Sequence, residues 1–65
     1  MIKKYKVSFP FAPDMGSISP MIVNDYPMET KEENALWHLN SMRDHDGLPH
    51  RKSLSKGTKF VEIFN

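Results

Sequence analysis

One bracketed segment in the middle of the chain limits its fold more than any other feature. Thr30 and Glu33 have the spacing of a capping box, in which the threonine oxygen accepts from the Glu33 amide and the Glu33 carboxylate reaches back to the Thr30 amide. Glu29, Glu32 and Glu33 also suit the positive end of a helix dipole. At the other end, Gly47 can take the left-handed conformation just past a helix. Leu48 can then fold back on Met42 or Arg43, and Pro49 forbids continuation. The bracket predicts one helix over about residues 31–46.

What surrounds it must be built from little. With 65 residues and no cysteine, the chain allows one small domain and neither a disulfide framework nor a cysteine zinc site. A chain this short buries only about 60% of the surface it exposes when unfolded, so its core is small. Charged residues are 26% and apolar residues 38%, a globular balance rather than a disordered one. Apolar runs such as Met21–Val23 are too short to cross a membrane, and the lysines at the start precede no apolar signal-peptide core. The opening Met and the absence of a tag suggest a complete small gene product, and the lack of cysteine fits the cytoplasm.

Strands are expected on both sides of the helix. Over about residues 2–9, Tyr5, Val7 and Phe9 alternate with Lys4, Lys6 and Ser8, the period of a half-buried strand. Pro10 cannot donate to a ladder and ends it. Residues 12–17 have a loop composition, and a second strand is expected over 21–24, paired with the first as a hairpin. Residues 48–57 read as a basic, mobile loop, and 58–64 as a strand with apolar residues on both faces. The expected fold is an α+β mini-domain of β-β-α-β order, one helix packed on a small, mainly antiparallel sheet.

The net charge of +1 conceals a separation. Residues 1–24 carry +2, residues 25–46 carry −4 and residues 47–65 carry +3. Basic ends flanking an acidic middle can attract each other, or can steer a charged partner.

On a helical wheel Ala35, Leu36, Leu39 and Met42 form a core-facing stripe. Trp37 lies nearly opposite, among Glu33, Asn40, Ser41 and Asp44. Tryptophan is the residue type most enriched at binding hot spots, so these five residues are the candidate partner-binding site. The alternative is that the 12–28 segment, with Met15, Tyr26 and Met28, folds over the indole.

Other chemistry finds less support. His38 and His45 would lie about 10 Å apart on one helix face, too far for one ion. His50 adds no short ligand spacing, so no metal or cofactor is expected. No cysteine nucleophile, Gly-x-Ser-x-Gly elbow or phosphate loop is present, and His–carboxylate neighbours such as His45 and Asp44 are common by chance. No enzyme is expected. Arg51, Lys52 and Lys56 form a second, basic patch that could meet phosphate if it converged with the N-terminal lysines.

The expectation is therefore a small non-enzymatic protein-binding module, of the kind phages and mobile elements encode as inhibitors or modulators, acting by occluding a partner's surface. One alternative is a nucleic-acid-binding accessory protein using the basic N-terminus and the 50–59 loop. Another is a structural subunit or homodimer.

Overall fold

The structure is a computed structural model and describes residues 3–25 and 29–64. Its elements run β1 (Lys3–Ser8), β2 (Met21–Asp25), α1 (Lys31–His45) and β3 (Lys59–Ile63). The β-β-α-β order and one helix on a small antiparallel sheet match the expected α+β mini-domain. Boundaries move by at most one residue, and Ile2, at the expected start of the first strand, lies outside the described residues.

The first strand is the central one. The sheet order is β2-β1-β3, with β1 antiparallel to both neighbours. The register places Tyr5 between Val23 and Glu62, and Val7 between Met21 and Phe60. Side chains alternate across the pleat, so these residues share the face that meets α1, whereas Lys4 and Lys6 point to the other side. Val7, Val23 and Ala35 are buried together, flanked by partly buried Tyr5, Phe9, Met21, Leu54 and Phe60. Ala35 has no side chain beyond Cβ, which lets the helix backbone approach the two valines closely.

Both helix ends form as the sequence signals them. The Glu33 amide donates to Thr30 Oγ1 at 3.2 Å, and the Thr30 amide donates to Glu33 Oε1 at 3.5 Å. Gly47 has φ +73°, and the Leu48 amide returns to the Arg43 carbonyl at 2.8 Å while the Gly47 amide reaches that of Asp44 at 3.1 Å. These two bonds are the Schellman pattern. Two further contacts fix the helix on the sheet. Asn34 Nδ2 donates to the Asn24 carbonyl of β2 at 2.8 Å. Lys31 Nζ lies 5.1 Å from the Tyr5 ring centre and 5.6 Å from that of Phe60, above an edge-to-face pair with centroids 6.4 Å apart. The cation thus covers the aromatic end of the core and adds attraction to the ring faces. The Lys31 ammonium pKa is raised, chiefly by its hydrogen bond to Glu32.

The β1–β2 connection is long but organised. Ala12 and Gly16 form an isolated bridge, and Asp14 sits at the turn between them. This turn folds toward the C-terminal half of α1.

Candidate functional site

The wheel predicts the helix faces correctly for most positions. Ala35 and Leu39 are buried; Leu36 and Met42 are only half-buried at the margins of the stripe. Trp37 is 67% exposed. Of the residues expected as its alternative cover, Met15 instead lines a small void beside Leu39 and Arg43. Tyr26 and Met28 lie outside the described residues.

The indole stands at one side of an open depression of about 400 Å³, lined also by Glu29, Glu33, Asn34 and His38. Its ring meets His38 edge-to-face, with centroids 5.1 Å apart and planes at 88°. This neighbour restrains the indole without covering it. Glu29 and His38 are not among the candidates the sequence offers. The first precedes the helix and the second lies off the polar arc, so a wheel alone does not bring either to the indole.

The five candidates divide in use. Ser41 and Asp44 are exposed on the same helix. Glu33 lends Oε1 to the Thr30 cap at 3.1 Å from the hydroxyl, which fixes its carboxylate at the rim of the depression. Asn40 is engaged within the protein. Its Nδ2 donates to the Arg51 carbonyl at 3.0 Å and its Oδ1 accepts from the Arg51 amide at 2.8 Å. That reciprocal pair occupies both ends of the amide, so Asn40 serves the loop before it serves a partner. Asp44 faces His50, with Oδ1 3.5 Å from Nε2, while His45 lies by Asp46 at 3.6 Å. The neighbour pair His45–Asp44 considered for acid–base work is therefore not the one that forms.

Arg43 is absent from the sequence candidates, yet it is the one buried charged side chain among the described residues, 4% exposed. On the wheel it falls between Leu39 and Leu36, inside the apolar stripe, and that position is the available signal. Its Nε donates to the Pro49 carbonyl at 2.7 Å, and its Nη2 meets Asp14 Oδ2 at 2.9 Å. Nη1 is buried with no protein partner among the described residues. The guanidinium joins the β1–β2 connection, the helix and the segment after the helix. Its hydrogen bond holds the Asp14 carboxyl below its ordinary pKa.

The basic residues do not form one surface. Lys52 lines a groove with Glu32, Glu33 and Leu36, on the helix side. Lys4 and Lys6 lie on the opposite face of the sheet, by their register positions. The loop read as mobile is tied down by Asn40 at Arg51 and by Arg43 at Pro49. Arg51 and Lys56 remain exposed.

Among the described residues no group of three or more His, Cys, Asp or Glu side chains is placed to hold a metal ion, and no helix is long and apolar enough to cross a membrane. The chain matches no protein-family model, no curated protein and no solved structure at a significant level.

Proposed function

We propose that this protein is a small non-enzymatic binding module that docks on another protein through the outer face of α1, with Trp37 as the anchor. The observation that carries this reading is the exposure of Trp37, at 67%, beside an open depression with carboxylates at its rim. An indole left in water forgoes apolar burial worth about 25 cal/mol per Å². A partner that covers it recovers that energy. The Glu33 carboxylate is held by the cap through Oε1 and can bond a partner without much further loss of freedom. Ser41 and Asp44 extend the contact along the helix. Action by occlusion in a cytoplasmic setting, as a phage- or mobile-element-type inhibitor, is the fuller form of this proposal, suggested by small size and the lack of cysteine.

The nucleic-acid alternative draws less support: Lys59 shares a sheet face with Lys4 and Lys6, but Lys52 lines a groove with Glu32 and Glu33 on the helix side. A subunit or homodimer role is read out by sedimentation across a concentration series.

The test is Trp37→Ala. Its stability should stay within about 0.5 kcal/mol of the parent, as for other exposed positions. A partner captured from host lysate by the parent should be lost. A large fall in melting temperature, or equal capture by both proteins, would overturn the assignment of the anchor.

A further inference from the structure

The second face of the sheet carries an inference independent of Trp37. α1 covers one face only. The register projects Lys6 from the central strand between Ile22 and Val61, and Lys4 beside Ile63, with Lys59 further along the same face. Ile22 is 54% exposed and Val61 60% exposed. Each ion pair among the described residues lies elsewhere, so Lys4, Lys6 and Lys59 have no carboxylate partner among them. The acidic residues within the strands, Asp25 and Glu62, fall on the helix-facing side of the pleat. The outer face of the strands is therefore a cationic centre beside Ile22, Val61 and Ile63, with Asn24 and Ser8 as its uncharged polar residues and no acid among the described strand residues.

We propose that this face docks an acidic amphipathic helix of a partner protein. Three observations select that occupant. The face is wholly basic in its charge, so its complement is acidic. Its apolar groups are aliphatic, suited to interdigitating with leucine or isoleucine and not to stacking on bases. Its outer strands lie about 10 Å apart, which matches the diameter of one helix. The lysine stems would lie along the apolar stripe of the partner while their ammonium groups reach the flanking carboxylates. The arrangement repeats on the outer face what α1 does on the inner one. It would let the protein hold two partner surfaces at once.

The experiment is a nuclear magnetic resonance titration of the full chain. The probes are a synthetic amphipathic helix with a leucine stripe flanked by glutamates, the same peptide with lysine for glutamate, a single-stranded oligodeoxynucleotide, and phosphatidylglycerol vesicles. The acidic peptide should shift the amides of Lys4, Lys6, Ile22, Val61 and Ile63 saturably, with binding that weakens as salt rises. The lysine peptide should not. Lys6→Glu should weaken binding by about tenfold or more. Val61→Ser leaves the charges intact and should weaken it less, and both positions point to solvent, so the fold is retained. Trp37→Ala should bind the acidic peptide unchanged, which separates this proposal from the helix-face site. No saturable shift, shifts confined to the Trp37 face, or tighter binding of the oligonucleotide or vesicles by these same residues would overturn it.

Discussion

Arg43 shows how much one side chain can hold in a core this small. Its guanidinium is buried, donates to Pro49 and Asp14, and leaves Nη1 without a protein partner among the described residues. Burying a charge is costly unless it is paired, and here the pairing is incomplete. Removing the group and its packing together, in Arg43→Ala, should cost on the order of 2–4 kcal/mol by thermal unfolding. Arg43→Met keeps most of the volume and removes the charge, so it should fall well short of that loss. Equal destabilisation by both would place the stabilisation in the hydrogen bonds and not in the packing. Asp14 adds a pH dependence. Its folded-state pKa is lowered by the hydrogen bond from Arg43, so its contribution is full above the ordinary aspartate range. The contribution is lost as pH falls through the folded pKa. Between about pH 5 and pH 2 the parent should therefore lose more stability than Asp14→Asn, which has no proton to take up. Parallel melting curves over that range would remove Asp14 from the acid response.

Asn40 links the helix to the segment that follows it. Each end of its amide bonds the backbone of Arg51, much as a neighbouring strand would. Asn40→Ala should cost about 1 kcal/mol and release this segment more than it destabilises the whole. The Arg51 amide, hydrogen-bonded to Asn40 in the parent, should then exchange more rapidly, and trypsin should cut after Arg51 or Lys52 while the strands stay intact. Unchanged exchange at Arg51 would mean that Arg43 and Pro49 hold the segment without it. The same residue shows the limit of a wheel: Asn40 is on the polar arc, but its side chain is spent inside the protein and not offered to a partner.

At the scale of the molecule the question is margin. Val7 and Val23 are the largest side chains wholly withdrawn from solvent among the described residues, and Leu39 is 4% exposed. A single core in a chain of this length rarely supplies more than about 3–5 kcal/mol of net stability. Leu39→Ala should cost about 2–5 kcal/mol, comparable with the whole margin. Its urea midpoint should fall toward zero denaturant, whereas Leu36→Ala, half-exposed at the edge of the stripe, should keep a cooperative transition. A small shift for Leu39→Ala would mean that the void beside it collapses on truncation. The charges are also arranged at this scale, with Lys4, Lys6 and Lys59 on the outer sheet face and the carboxylates of the strands and of α1 on the other side. The net charge of +1 averages over that division and does not describe it.

Local signals are legible in the residues themselves. The capping box, the Gly47 stop and the alternation from Tyr5 to Phe9 each depend on residues a few positions apart, so the sequence alone determines the helix, its ends and the faces of its strands. It also determines that Trp37 lies off the core stripe, because a helix turns by a constant angle. Contacts between distant segments are decided only by tertiary structure. That β1 is central, that Arg43 reaches Asp14 across 29 positions, and that Asn40 holds Arg51 follow from which surfaces pack together. A wheel places Arg43 in the apolar stripe but cannot say that a carboxylate and a carbonyl will be there to receive it. Burial of that charge is settled by partners the local pattern does not contain.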